Sequence, residues 1–422
     1  MDRSSANSVL VIGDDTRIFL SVARSLGRTG KRVVAYPTDP RAAALSSRYV
    51  SEIAPSIAYE ADPIAWRDGL RRLLLERQFD LVIPCTDAGI MALHEGARGC
   101  SSRIAIPSTD AIRTLFDKAN THELCDELGI PAAKWSPLEE TDDENSVVDR
   151  FGLPLVIKPR SSFSSDTGRS REMVEIIEDR QDLVRVLAMI EDRSRYLVES
   201  FFEGTGTGVS LLALDGEVLQ AFQHRRLREG RGGCSSYRVS EAVNKDLLHA
   251  AKAICAKLKH TGVCMFEFRV NHSTGQWILV EVNARFWGSM PLPLALGIDY
   301  PSQLYDLIVN GARHLPTSYR TGVRSRNLLL DANNLFKELK RVRRSGFGAL
   351  TVSLADFLAQ PVRWLSGAEK VDCFSFDDMV PGLREIGQAF FSVFQRKNKG
   401  PASGAPISGM DAAPESMPGL LK

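Results

Sequence analysis

Residues 9–87 alternate short apolar runs with amphipathic stretches, and that alternation narrows the fold more than any other feature of the chain. Val9–Ile12 is an apolar run ending at Gly13, as a buried parallel strand would. Ile18, Val22 and Leu26 then recur at i, i+4 and i+8, one helix face, which stops near Gly27 and Gly30. Val33–Tyr36 is the next strand. A second helix follows Pro63, with Leu70, Leu73 and Leu74 on one side, and Leu81–Ile83 is a third strand running into Pro84-Cys85-Thr86-Asp87. Strands alternating with helices predict a parallel, doubly wound sheet. Ligands of such sheets sit outside the carboxyl ends of the strands. The first turn is Gly13-Asp14-Asp15, without the Gly-x-Gly-x-x-Gly of a dinucleotide site.

The sheet uses only the start of the chain. At 422 residues, two to three domains are expected. Lys plus Arg is 53, Asp plus Glu is 52, and the net charge is +1, which argues against a nucleic-acid binder working through a basic field. The longest stretch without Asp, Glu, Lys or Arg, Phe286–Ile298, has 13 residues with two prolines and two glycines, too short and broken for a membrane span. The N-terminus shows no apolar segment of signal-peptide length. The seven cysteines are scattered, with no Cys-x-x-Cys pair, so reduced thiols and a cytoplasmic location are expected.

Residues 107–135 read as helical and polar, and Glu139–Glu144 as an acidic linker. From about residue 151 the pattern changes. Pro154–Lys158 is an apolar run ending in lysine, followed by a serine-rich loop, Arg160–Arg169. Leu183, Leu187 and Ile190 mark a helix, and Tyr196–Val198 is a strand leading into Glu199-Ser200-Phe201-Phe202-Glu203-Gly204. Val209–Leu214 and Glu217–Phe222 flank Asp215-Gly216, a hairpin signal. Leu247, Leu248, Ala251, Ile254, Cys255 and Leu258 form a helix face. Val263–Val270 and Trp277–Val282 read as an antiparallel pair. Beyond about residue 320, helices are plausible around Asn333–Arg344 and Asp377–Phe394. The Gly/Pro/Ser/Ala-rich end from about Lys397 reads as disordered.

The chemistry concentrates in Glu281-Val282-Asn283-Ala284-Arg285. On a strand, positions i, i+2 and i+4 share a face, so a carboxylate, a carboxamide and a guanidinium stand in a row. Mg²⁺ takes oxygen ligands and substrate phosphates, and arginine forks onto phosphate oxygens. Glu267 lies in the apolar Cys264-Met265-Phe266-Glu267-Phe268. Buried, it needs a metal or a partner; on an edge strand it simply faces water. Gly204-Thr205-Gly206-Thr207-Gly208 looks like a phosphate loop but falls between the Glu199–Gly204 segment and the next strand, where a glycine turn suffices.

In their order and spacing these segments resemble the ATP-grasp superfamily over roughly residues 1–315. The resemblance implies an α/β chain: an N-terminal doubly wound parallel sheet of the pre-ATP-grasp kind (1–112), a two-lobed α+β ATP-grasp domain (113–320), a mostly helical C-terminal extension (321–395) and a disordered tail (396–422). It implies ATP and Mg²⁺, or Mn²⁺, with Glu267, Glu281 and Asn283 as metal ligands. Lys118 and Lys158 match the two nucleotide lysines. Glu199–Gly204 resembles the adenine-holding hinge, with Glu199 and Phe202 beside the base and Glu203 at the ribose. Ser164 lies in the phosphate-covering loop, which is serine-rich here where the family's is glycine-rich. Arg285 matches the clamp on phosphate or intermediate.

Arg225, Arg226, Arg228 and Arg238 resemble the acceptor side of carboxylate–amine ligases and of the large carbamoyl-phosphate synthase subunit, with Arg226 and Arg238 as catalytic candidates; a solvated basic hairpin is the alternative. The implied reaction is ATP-dependent carbon–nitrogen ligation through an acyl phosphate. Its partners are a small carboxylate and an amine, without nucleic acid or membrane, and a homodimer is compatible with it. Two other readings remain: a bicarbonate-using enzyme of the carbamoyl-phosphate or carboxylase kind, and a nucleotide-binding regulatory protein without turnover.

Overall fold

The computed structural model describes residues 7–161, 163, 174–229, 235–313, 318–342, 355 and 357–398. Its first sheet is the parallel one expected, four strands in the order β3-β2-β1-β4: β1 Ser8–Ile12, β2 Arg32–Tyr36, β3 Val50–Ile53 and β4 Leu81–Pro84. Side chains alternate across a strand, and β1 shows the result. Val9 and Val11 enter one core with Phe19 and Leu20, while Leu10 and Ile12 enter another with Trp66 and Leu70. Both faces are therefore covered, as a doubly wound sheet requires. The first of these cores also takes in Leu212, Phe222, Met265 and Trp287, so the parallel sheet packs directly against the second half of the chain.

A small antiparallel sheet comes next, in the order β5-β8-β6-β7: β5 Trp135–Pro137, β6 Leu155–Pro159, β7 Glu175–Ile177 and β8 Tyr196–Ser200. Val147, Leu183, Val186 and Leu187 from two helices close its core.

The largest sheet has seven strands in the order β13-β12-β9-β10-β11-β14-β15. They are β9 Thr205–Leu214, β10 Glu217–Glu229, β11 Ser235–Glu241, β12 Gly262–Val270, β13 Trp277–Asn283, β14 Arg324–Arg326 and β15 Glu369–Val371. Asp215 and Gly216, at φ +49° and +83°, make the two-residue β9–β10 turn. Positive φ at both positions is what Asp-Gly supplies in a type I′ hairpin. The helix Lys245–Lys257, capped by Asn244, packs Leu247, Ala251 and Ile254 on the sheet.

The C-terminal segment contains helices near the two expected places, at Leu328–Val342 and Val380–Asn398, and a short one at Gln360–Leu365 that was not expected. It also contributes two strands that the sequence pattern does not reveal, because three-residue runs such as Arg324-Ser325-Arg326 carry no apolar period. Charge pairs hold it in place. Arg326 is fully buried between Asp331 (2.5 Å) and Glu369 (2.7 Å), Arg238 meets Asp372 at 2.7 Å, and Arg24 of the first helix meets Asp378 at 2.8 Å. Removing one partner of such a buried pair costs about 3–5 kcal/mol. The tail from Lys399 on lies outside the described residues.

Candidate active site

The β12–β13 register places Glu267 directly opposite Glu281 and Met265 opposite Asn283. Val282, Ala284 and Phe286 are buried, while Glu281, Asn283 and Arg285 on the other face are only partly covered. Asn283 Nδ2 donates to Glu281 Oε1 at 3.3 Å. Like charges directly opposite on a ladder destabilise it, and here the neighbouring strands supply cations. Arg226 Nη2 on β10 lies 2.5 Å from Glu267 Oε2. It reaches across β9 because Gly206 and Gly208 stand in between: a Cβ at Gly206 would collide with Arg226 and Glu229, and one at Gly208 with the His224 ring. The glycine-rich Gly204–Gly208 is thus mostly strand, with its missing side chains leaving a path for cations. Burial works against the charged form of Arg226, but Glu267, Glu229 and Glu281 overcome it and hold the guanidinium protonated. Burial, reinforced by Arg238 and Arg226, keeps His224 well below the usual imidazole range, hence neutral.

The two lysines enter from other elements. Lys158, on β6 and 3% exposed, sets its Nζ 2.5 Å from Glu199 Oε1 on β8 and 3.4 Å from the Val280 carbonyl. The same Glu199 oxygen meets His122 Nε2 at 2.5 Å, and the His122 ring stacks on Trp135 at 5.2 Å. Burial pushes the Glu199 carboxyl up; Lys158 and His122 outweigh it and hold the group below its usual range. Lys118 begins the helix Lys118–Leu128, capped by Asp117. Burial, aided by Lys158, lowers its pKa against the pull of Glu281, Glu199 and Asp87. Lys118 therefore lies within the field of both the Lys158–Glu199 pair and the carboxylate row. Sequence reasoning missed His122 and Trp135. The usable signal was spacing, since His122 is four residues after Lys118 and so on the same helix face.

Arg285 is held from the parallel sheet. Its Nε and Nη2 meet Asp87 Oδ1 and Oδ2 at 2.5 and 3.0 Å, and Nη1 donates to the Phe286 carbonyl. Asp87 opens the helix Asp87–Gly96, capped by Thr86, at the carboxyl end of β4.

Other expected residues stand differently. Arg238, expected at the reacting group, is wholly enclosed: Nη2 meets Asp372 at 2.7 Å and Ser325 Oγ at 3.4 Å. Its neighbours are likewise engaged, Arg225 with Glu241 and Arg228 with Asp331. The arginines expected to form an open positive field are thus neutralised pair by pair, with Arg226 alone among the four beside the carboxylate row. Glu203 is exposed and lines an open cleft with Asn271, His272 and Ser273. Phe202 is half-buried beside Gly204. Ser164 lies outside the described residues. The root of its loop is tied to the Lys118 helix: Arg160 Nε meets Asp117 at 2.7 Å, and the Lys118 N–H donates to the Arg160 carbonyl.

Among the described residues no group of three or more His, Cys, Asp or Glu could hold a metal by itself, and no helix is long and apolar enough to cross a membrane. The described cysteines are free. The two carboxylates and one amide of the row carry oxygen donors, the kind Mg²⁺ takes beside phosphates and water.

Residues 192–328 match the family model for ATP-grasp in the biosynthetic pathway with Ter operon. A solved N5-carboxyaminoimidazole synthetase from Staphylococcus aureus, complexed with ADP, superposes with a TM-score of 0.58 at 16% identity, over 76% of this chain and 81% of that one. The fold is the ATP-grasp fold. Among curated relatives, the D-aspartate ligase of Enterococcus faecium is 24% identical over 300 residues, 65% of this chain and 70% of that protein. The formate-dependent phosphoribosylglycinamide formyltransferase of Cronobacter sakazakii is 28% identical over 185 residues, 41% of this chain and 43% of its own length. Within this ATP-grasp fold, the carboxylate row and Lys158 lie on the two antiparallel sheets, and Arg285 joins them to the parallel one.

Proposed function

We propose that this protein is an ATP-dependent carboxylate–amine ligase that works through an acyl phosphate. The observation that carries the reading is the Glu267–Glu281 pair, cross-strand neighbours with Asn283 beside them and the buried Lys158 and Lys118 nearby. Glu267, Glu281 and Asn283 would hold Mg²⁺, which when bound neutralises charge on the ATP phosphates. Lys118 and Lys158 take the polyphosphate. The backbone following β8 holds the adenine, with Phe202 beside the base and Glu203 at the ribose.

A carboxylate oxygen of the substrate bonds to the γ-phosphorus as the bridging oxygen leaves with ADP. An amine nitrogen then bonds to the acyl carbon, loses its proton, and inorganic phosphate departs. Catalysis of this kind is mainly positioning and charge stabilisation. Arg226 and Arg285 supply the charge, Arg285 stabilising the tetrahedral adduct. Arg238 acts from behind, as part of the buried pair network. The kinship with a D-aspartate ligase supports an amino acid or similar small acid as one substrate. A reducing compartment suits the free cysteines, and a homodimer is compatible with the reaction.

An ADP-release screen over small carboxylates paired with amines, with Mg²⁺ present, tests the reading. Release that needs both substrates is expected. With the responsive acid labelled with ¹⁸O, one labelled oxygen should appear in the released phosphate. AMP and pyrophosphate in place of ADP would overturn the mechanism in favour of adenylation.

A further inference from the structure

The turn Gly13–Arg17 follows β1 at the carboxyl end of the parallel sheet, where open sheets of this kind take their ligands. Its residues are fixed one after another. The Gly13 N–H donates to the Tyr36 carbonyl at 3.0 Å. Asp14 accepts from Thr38 Oγ1 at 2.7 Å and from the Asp39 N–H at 2.5 Å. Asp15 turns its carboxylate onto the start of the next helix, accepting from the N–H groups of Arg17, Ile18 and Phe19 at 2.9, 2.6 and 3.1 Å. Thr16 donates to Glu385 of the C-terminal helix. Both acids beside Arg17 therefore have other work.

The Arg17 side chain is the exception. Arg17 is half-buried, and among the described residues its guanidinium has no acid or carbonyl partner. Arg24 and Arg28 on the helix that follows are paired at 2.8 Å with Asp378 and Asp377. The Arg17 guanidinium lies instead against Gly288: a Cβ there would stand 3.1 Å from one of its nitrogens and 3.3 Å from its central carbon. Gly288 comes three residues after Arg285, and Asp15 is among the charges that act on Arg285. The free guanidinium thus stands in the cleft between the parallel sheet and the carboxylate row, on the parallel-sheet side of the Arg285 clamp. A charge partly withdrawn from water without a partner is costly. Its planar fork matches a carboxylate or a phosphate, and the fixed turn behind it keeps that fork aimed.

We propose that Arg17 holds a carboxylate or phosphate group of the amine substrate, one that stays unchanged while the amine reacts; the assignment rests on the ligase reading above. Arg226 and Arg285 are left for the carboxylate that is phosphorylated, and the amine reaches the acyl carbon from the parallel sheet. Phenylglyoxal labelling of the full chain with Mg-ADP, read at Arg17 by peptide mass spectrometry, tests the site without turnover. Glycine or O-phosphoethanolamine at high millimolar concentration should slow the labelling of Arg17, and ethanolamine, an amine without an oxyanion, should not. The better protector tells a carboxylate from a phosphate. Equal labelling with all three would overturn the proposal. Once an acid and an amine that release ADP are found, Arg17→Gln should raise the KM of the amine about 10- to 100-fold, while the KM of ATP stays within about twofold. Arg17→Lys, which keeps the charge and loses the fork, should recover part of that loss. A rise confined to the carboxylate substrate or to ATP would overturn the assignment. Protection of Arg17 without ADP release from any pair would strike the ligase reading and leave the oxyanion site standing.

Discussion

Arg285 and Asp87 form a two-pronged ion pair across 198 residues of sequence, with contacts of 2.5 and 3.0 Å. The pair couples the end of the carboxylate row to the helix that starts after β4. Burial works against the charged form of Arg285, and Asp87, Glu281 and Asp15 outweigh it and hold the guanidinium protonated. One residue of the first domain thereby sets the direction of a proposed clamp on the second.

Asp87→Asn should leave Arg285 charged without its counter-ion. A stability loss of about 2 kcal/mol is expected when the charge-assisted hydrogen bonds of this partly covered pair are lost, readable by urea unfolding. Turnover should fall at least tenfold while ATP affinity, measured by calorimetry, stays within twofold. Loss of ATP affinity in step with turnover would show that Asp87 acts on the nucleotide pocket instead.

Glu281→Gln separates metal binding from folding. It removes one of two opposed carboxylates but also a counter-charge of Arg226, Arg285 and Lys118, so the melting temperature of the variant without Mg²⁺ serves as its own baseline. The rise in melting temperature that Mg-ATP gives the wild type should disappear, together with turnover. If Mg-ATP still stabilises Glu281→Gln as it does the wild type, the row is not the metal site.

Lys158→Met should slow turnover by roughly 10²-fold if Lys158 acts as a preorganised charge stabiliser. It also has a signature in acid. Glu199 has a depressed pKa in the folded protein, so its contribution to stability is present above the unfolded carboxylate value and is lost as pH falls through the folded one. Without Lys158 the burial effect gains ground, the Glu199 pKa rises, and acid unfolding should begin at higher pH. Matching acid-unfolding curves for the variant and wild type would count against the pair.

His260, 2% exposed, has its pKa lowered to about 4, chiefly by burial. The unfolded chain binds this proton more readily, so stability is lost as pH falls from 6.5 toward 4. Between pH 7 and pH 5 the loss is about 2 kcal/mol. His260→Phe, which cannot titrate, should reduce the pH 7 to pH 5 difference in urea-unfolding free energy by that amount. An unchanged difference would assign it to other groups.

The parts of this architecture legible in the sequence are those written in a local period. Val9–Ile12 states itself as an unbroken apolar run, the Glu281–Arg285 row states its face through alternation, and Asp215-Gly216 states its own turn. β3, β7 and β14 stayed hidden, being three or four residues long and partly polar. The chemistry of Arg238 was hidden for a different reason. A clustered arginine looks the same in sequence whether it faces substrate or an aspartate, and Asp372 lies 134 residues further on. Burial of charge is a property of the assembled sheet, so no window of sequence around Arg238 contains it. The Glu199–His122 contact is hidden in the same way, across 77 residues.

β15, the outermost strand of the large sheet, has a consequence for biosynthesis. A ribosome making this chain delivers β9 through β13 well before Glu369–Val371, and until then Arg326 has no Glu369 and Arg238 no Asp372. The nascent sheet must wait with guanidinium groups that are tolerable in water and costly to enclose, while its β14 edge stays open to pairing with another chain. Native closure of that edge therefore comes after the rest of the sheet has been made. Pulse-labelled chains stalled before residue 369 should be far more protease-sensitive across β11 and β14 than chains in which Glu369–Val371 has emerged.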